Sequence, residues 1–386
     1  MKSRTLIVNL GVGIGSLMVS LVLAEGIARV ALNPADYLSV ELQHDPILGA
    51  KATGKTAAGA FDAWGFRNAG VPPSAEIVAI GDSHTYGNAA TMAQSWPYVL
   101  ADATGKPVYN MGMGGYGPNQ YAHLLTQALE LSPKTVVVGL YMGDDFENAF
   151  LVTYGLEHWS RLRALPAHKV DFDIWSASTK PPPVSAQKAL RIWLSRHSVV
   201  YQLVVHGPLL GRIQGEAQIR QAARPSDAVT ALDIPEAHIL EAFRPQGVRR
   251  NLDQQSAQVA EGMRITFSLL REMKQRCLDK RANFVVAVIP TKEMVFAQEL
   301  QQRADLPLAR VIAELLVDEA KARERTFAEL RAAGIAFVDT LPALREARGA
   351  QLYARTAGDM HPNGNGYRVI GQTVAAALRD REPVRP

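Results

Sequence analysis

A hydroxyl, an imidazole and a carboxylate can together run acyl transfer, and this sequence offers them at its two ends. Ser83 follows a short apolar run in IVAIGDSHTYG, residues 77–87. Asp359 and His361 share one loop, Asp359-Met360-His361-Pro362-Asn363, just before an apolar-periodic segment, Gly366–Leu378. Serine needs a base to take its proton, and histidine needs a carboxylate to fix its tautomer and support the imidazolium. The apolar run reads as a buried parallel strand ending in a tight turn that exposes Ser83. Open α/β sheets place their ligands at that carboxyl edge. A G-D-S turn alone occurs in many loops, and a loop histidine can simply cap a helix.

With the serine and the Asp-His loop paired, the sequence resembles the SGNH (GDSL) hydrolase family. Gly81-Asp82-Ser83 matches its first block, and Asp359 with His361 its last. Asn110–Gly117, NMGMGGYG, is similar to the second block, whose glycine gives a backbone NH to the oxyanion; Gly115 is the best match. Met142-Gly143-Asp144-Asp145 stands where the third block normally reads G-x-N-D. Asp144 therefore takes the place of the oxyanion-hole asparagine. The Asp–His spacing is also one residue shorter than the common D-x-x-H. The resemblance implies Ser83 as nucleophile, His361 as general base, Asp359 as its orienter, and an oxyanion hole from Ser83, Gly115 and Asp144. It implies no cofactor.

Other residues compete for roles at this edge. His84 follows the nucleophile, but adjacent side chains on a turn diverge, so it reads as a surface or pocket-wall residue rather than the base. Lys292, at the end of a strand, could meet an anionic or hydroxylated substrate or be an ordinary strand-end lysine. Tyr116, Tyr141 and Tyr353 could offer faces to a sugar ring, and buried tyrosines would look the same in sequence.

Apolar strands are expected at Glu76–Ile80, Pro107–Asn110, Thr135–Tyr141, Asn283–Ile289 and Ile335–Asp339. Helices are expected at Trp96–Thr104, Asn119–Leu131, Gln258–Lys280, Ala309–Ala333 and Gly366–Arg379. Their alternation argues a parallel sheet covered on both faces. The resemblance implies the three-layer α/β/α, flavodoxin-like form with strand order 2-1-3-4-5.

The chain has 386 residues, 47% hydrophobic and 20% charged, with a formal net charge of +4. That suits one large domain or a domain with an insertion. A single cysteine, Cys277, excludes an intramolecular disulfide and a cysteine-built metal site. Thr5–Ala24 is uncharged and largely apolar, preceded by Lys2 and Arg4. Twenty helical residues span about 30 Å, enough for a bilayer core, and the basic flank would leave the remainder outside the cytoplasm. The rival reading is a cleaved signal peptide, with Gly26-Ile27-Ala28 as a small-x-small site.

Residues 1–30 are thus an anchor or signal and 31–73 a lead-in. Residues 74–386 form the SGNH-like domain, interrupted at about 150–255. The lead-in motifs Asp45–Gly49 and Trp64–Arg67 resemble those of membrane-anchored bacterial members, which suggests that this stretch packs on the domain. The interruption holds Pro181-Pro182-Pro183, an amphipathic segment Ala186–Val205, and Arg244, Arg249 and Arg250. From 161 to 250 there are 13 Lys/Arg against 7 Asp/Glu. Such a stretch could be a lid over the carboxyl edge, a cationic face for an anionic glycan or lipid headgroups, or a solvated insertion. Nothing resembles a nucleic-acid module.

Two functional readings follow. One is an extracytoplasmic serine esterase that removes or transfers an O-acyl group, acetyl first, on a carbohydrate, with a membrane acyl-donor partner in the transfer case. The other is a catalytically impaired glycan-binding or assembly protein that keeps the fold; Asp144 favours it.

Overall fold

The computed structural model describes residues 2–53, 60–166, 185–206, 229–354 and 358–380, with isolated positions 215, 217, 219 and 356. The triproline at 181–183 lies outside them.

Five strands form the central parallel sheet: β3 (Ile77–Gly81), β4 (Val108–Gly112), β5 (Thr135–Tyr141), β8 (Asn283–Ile289) and β9 (Ala336–Asp339). Their order is β4-β3-β5-β8-β9, which is 2-1-3-4-5 along the core sequence. The valine-rich runs of β5 and β8 explain their central place. Both faces of these strands are covered, and β-branched side chains fill a pleated, two-sided interior. Helices α3 (Trp96–Thr104) and α10 (Gly364–Arg379) pack together on one face. Helices α4 (Pro118–Glu130), α5 (Asp145–Gly155) and α8 (Ala257–Asp279) pack together on the other. Helix α9 (Ala309–Ala332) joins that second face, with Arg271 of α8 paired to Glu329. The result is a three-layer α/β fold in which the five strands of the central sheet point their carboxyl ends to one edge.

The lead-in packs on the domain. Its hairpin β1 (Leu42–Asp45) and β2 (Gly49–Ala52) is tied down by Tyr116, whose hydroxyl donates to Ala50 O at 2.8 Å. Arg67 is buried. It donates to Ala35 O and Gly87 O and pairs with Asp36 at 2.8 Å, stitching the lead-in to the loop that follows Ser83.

Helix α1 (Lys2–Ala31) contains Val8–Ala31, which is long and apolar enough to cross a membrane, with mean hydropathy 1.9. Inside the interruption, α6 (Ala186–His197) and α7 (Val199–His206) pack beside the end of α1. A second hairpin, β6 (Thr230–Ile234) and β7 (Ile239–Phe243), leads to Arg244. The arginines at the end of the interruption are held by the domain. Arg249 pairs with Glu314 and Asp318, and the Arg244 guanidinium lies against Gly358, where a Cβ would come within 2.0 Å of its Nε.

Candidate active site

Ser83 opens a short helix, α2 (Ser83–Tyr86), directly after β3. Asp82 caps it by accepting from the His84 N–H at 2.9 Å, so the G-D-S sequence builds its own turn. Glycine is required under that turn. A Cβ on Gly112 would lie 2.2 Å from Tyr86 N, and one on Gly81 would lie 2.0 Å from the Thr85 hydroxyl. Asn110 adds a brace, donating to Thr85 O at 3.0 Å.

The Asp359–His361 loop comes from the other end of the chain and meets this turn. His361 Nε2 lies 2.8 Å from Ser83 Oγ, and His361 Nδ1 lies 2.7 Å from Asp359 Oδ1. The same Oδ1 accepts from the His361 backbone N–H at 2.9 Å. This two-residue side-chain-to-backbone turn is why the short D-x-H spacing still aims both groups at Ser83. The α10 helix is capped by Asn363, which accepts from Asn365 N and Gly366 N, so His361 is not spent on capping. Asn363 also donates to Gln351 O and Tyr353 O, fixing the loop against its neighbour. Burial acts to raise the Asp359 carboxyl. The hydrogen bonds and charge of His361, with the nearby Lys292 ammonium, outweigh it and hold the group below the usual carboxylate range.

Gly115 sits in a turn with φ +75, a conformation that favours glycine. Among the described residues, neither the Ser83 nor the Gly115 amide N–H has a hydrogen-bond acceptor.

Asp144 has one carboxylate oxygen, Oδ1, that is fully covered and has no hydrogen-bond partner. Burial pushes its pKa well above the usual range, and the charges of Asp82 and Glu147 add to the rise. Asp145 beside it is saturated. It accepts from the Tyr121 hydroxyl at 2.8 Å and from the Tyr141 N–H at 2.9 Å. Burial again raises its carboxyl, with Asp82 and then Asp144 contributing. Oxygens of Asp82, Asp144 and Asp145 converge within 4.8 Å of one another. Because His84 engages Asp82 and the tyrosines engage Asp145, the cluster is a source of mutual repulsion rather than a built cation site.

Five residues considered for the substrate side are placed elsewhere. His84 is 1% exposed and packs under the site, its ring stacked on Tyr141 at 3.8 Å and its Nδ1 3.1 Å from Asp82 Oδ2. Burial lowers its pKa and favours the neutral ring. It is neither a surface nor a pocket-wall residue, because the turn points it back into the core. Tyr116 is buried by the lead-in hairpin, and Tyr141 and Tyr353 are buried too, so none offers a face to a sugar. Lys292 is 2% exposed, paired with Glu241 of β7 at 2.5 Å and lying over the rings of Phe243 and Tyr353. Its ammonium supports the Asp359 loop from behind instead of meeting substrate.

Sequence reasoning missed Asn88, whose Nδ2 lies 3.5 Å from His361 Nε2, and the Arg67 brace behind the Ser83 loop. The W-G-F-R lead-in was the available signal for the second. A cavity of about 560 Å³ lies at the opposite edge of the sheet, lined in part by Glu76, Thr135 and Asn283, and is remote from these groups.

Residues 249–385 match the family model described as SGNH hydrolase-like domain, acetyltransferase AlgX. That stretch is similar to an SGNH hydrolase-like domain and holds the last of the four sequence blocks, Asp359 with His361. No curated protein matches it. Among solved structures, it is similar to a putative lipolytic protein of the G-D-S-L family from Desulfitobacterium hafniense DCB-2. That match has 13% identity and TM-score 0.36, covering 78% of this chain and 98% of that one. It is also similar to phospholipase A1 from Streptomyces albidoflavus NA297, with 10% identity, TM-score 0.38, and coverage of 80% and 100%. A catalytic mutant of an acetylxylan esterase from Geobacillus stearothermophilus gives 10% identity, TM-score 0.32, and coverage of 80% and 95%.

Proposed function

We propose that this protein is a serine acyl-transfer enzyme that takes an O-acyl group, acetyl first, from or to a carbohydrate outside the cytoplasm, held to the membrane by α1. The observation that carries the reading is the unbroken hydrogen-bonded line from Ser83 Oγ through His361 to Asp359. Ser83 O–H donates to Nε2, so attack on an ester carbonyl delivers its proton to His361, while Nδ1–H donates to Asp359 and stabilises the imidazolium. His361 then returns the proton to the leaving alcohol oxygen, leaving an acyl ester on Ser83. The free N–H groups of Ser83 and Gly115 support the oxyanion, each donor being worth about 3–4 kcal/mol by precedent. Asp144, whose carboxyl burial pushes well above the usual range, would donate the third hydrogen bond in its protonated form. Water or a sugar hydroxyl then attacks the acyl-enzyme; the two outcomes share every step but the acceptor.

The description of the matching model supports acetyl as the group moved. The basic flank and apolar length of α1 support the location. The test is incubation of the full chain with acetylated envelope polysaccharide, with and without an added sugar acceptor, following free and transferred acetate. Acetate that appears in either pool and vanishes on Ser83→Ala supports the reading; none in either pool overturns it. The second reading, a glycan-binding protein without turnover, is favoured by Asp144 in place of the amide donor. It predicts retained polysaccharide binding with no labelling of Ser83 by a fluorophosphonate.

A further inference from the structure

Among the described residues of the α6–α7 segment, only Val199 and Gln202 are buried. Helix α6 buries no residue, and large apolar side chains stand in the open on both helices: Leu190 at 56%, Trp193 at 54% and Val204 at 63% exposure. Leu190 and Trp193 are three residues apart and share a helix face. Lys188, Arg191 and Arg196 accompany them, and residues 185–206 contain no Asp or Glu. An apolar face with a tryptophan and charged residues of basic sign alone is the composition of a helix that lies in a membrane interface.

The position of the segment names the occupant. Glu25 of α1 accepts from Val199 N at 2.9 Å, Val200 N at 3.0 Å and the Ser198 hydroxyl at 2.9 Å, capping α7. Arg29 donates to His197 O at 2.6 Å. Glu25 is the first charged residue after the uncharged stretch Thr5–Ala24, which at about 1.5 Å rise per residue spans about 30 Å, a hydrocarbon core. The α6–α7 junction is therefore pinned on Glu25 and Arg29, where the uncharged stretch of α1 gives way to charged residues. On its inner side, Val199 packs in one cluster with Ala28, Leu38 and Phe61, against Tyr86 and Met92. Tyr86 ends the helix that Ser83 begins.

We propose that α6–α7 is an interfacial platform. It beds Leu190, Trp193 and Val204 into the headgroup boundary of the bilayer that α1 crosses, with Lys188 and Arg191 on anionic headgroups while Arg196 pairs with Glu41 at 3.2 Å, and so holds the Ser83 turn close to the membrane surface. This rests on the reading of α1 as a membrane span.

The test uses the full chain in phosphatidylethanolamine–phosphatidylglycerol vesicles, compared with the Trp193→Phe variant. Because α6 has no buried side chain, the substitution leaves the core intact. Bromine-labelled lipid should quench a fluorescence component that the variant lacks, and aqueous iodide should fail to reach it. Trp193 quenched by iodide and not by bromolipid overturns the platform. Shielding from both, with the chain crosslinking to itself, also overturns it and assigns the face to a second copy. Release of the chain from vesicles by alkaline carbonate would instead overturn the α1 span, so the two failures are distinguishable.

Discussion

Two carboxyl groups at the same edge of the sheet are driven in opposite directions. Asp359 and Asp144 each lose solvation on folding, yet Asp359 titrates below its ordinary range and Asp144 well above it. Partners account for the difference. Asp359 accepts two N–H groups of His361 and lies near the Lys292 ammonium. The covered oxygen of Asp144 has no donor, and its charged neighbours are Asp82 and Glu147. Burial alone does not set the charge of a group; the donors supplied with it do. The carboxyl beside His361 is thus held toward its anion, and the one beside Asp82 is pushed toward its neutral form.

The sharpest way to break this contrast is to remove the charge of Asp359 and the groups it serves. Ser83→Ala and His361→Ala should each reduce ester turnover to background with thermal unfolding unchanged. The double variant should be little worse than either, because such residues act as a unit. Asp359→Asn should lose about 10⁴-fold in kcat by wrong-tautomer logic. Additive losses in the double variant, or an active Ser83→Ala protein, would show that the line from Ser83 to Asp359 is not the working relay.

Asp144→Asn probes the other side with a smaller expected effect. If Asp144 works as a protonated donor, activity falls at alkaline pH as its raised group ionises and turns from donor to repeller. Asparagine gives a permanent donor, so the variant should retain or exceed the parent rate and lose the alkaline fall in a kcat/KM profile. An unchanged rate and profile would place Asp144 outside the oxyanion hole. An inactive parent made active by the substitution would favour the binding-protein reading.

Most of the fold was legible because each strand is a short apolar run and each helix an amphipathic one. Thr135–Tyr141, Asn283–Ile289 and Trp96–Thr104 match their expected bounds, and the others shift by one or two residues at one or both ends. The convergence of Ser83 with the Asp359–His361 loop was also readable, since each motif carries its own local turn chemistry. What the sequence hid is what depends on distant partners. Lys292 looks the same whether it faces substrate or Glu241, and Glu241 comes from a hairpin inside the interruption. Tyr116 is closed off by a lead-in hairpin more than sixty residues earlier. His84 carries a ring that either a surface or a core could hold; only the direction of the turn decides.

Glu319 on α9 combines both environments and so tests how far donors can offset burial. It is fully buried, as Asp144's covered oxygen is, but like Asp359 it has donors: the Thr291 N–H at 3.0 Å and the Thr291 hydroxyl. Burial raises its pKa from 4.5 to about 7; Thr291 and Arg323 pull it down, and Glu293 pushes it up. A carboxyl raised in the folded state contributes its full stability below the unfolded value, where both states are protonated. That contribution is lost as pH rises through about 7, because folding must then hold a buried charge that the unfolded chain solvates. The gap corresponds to about 3 kcal/mol. Glu319→Gln keeps an acceptor for Thr291 and removes the ionisation. Thermal unfolding followed from about pH 5 to about pH 8 should show the parent losing stability relative to the variant across that window. Parallel curves would mean that two Thr291 donors suffice to solvate a buried carboxylate. The elevation assigned to Asp144 would then rest on its missing donors alone, with burial a minor cause.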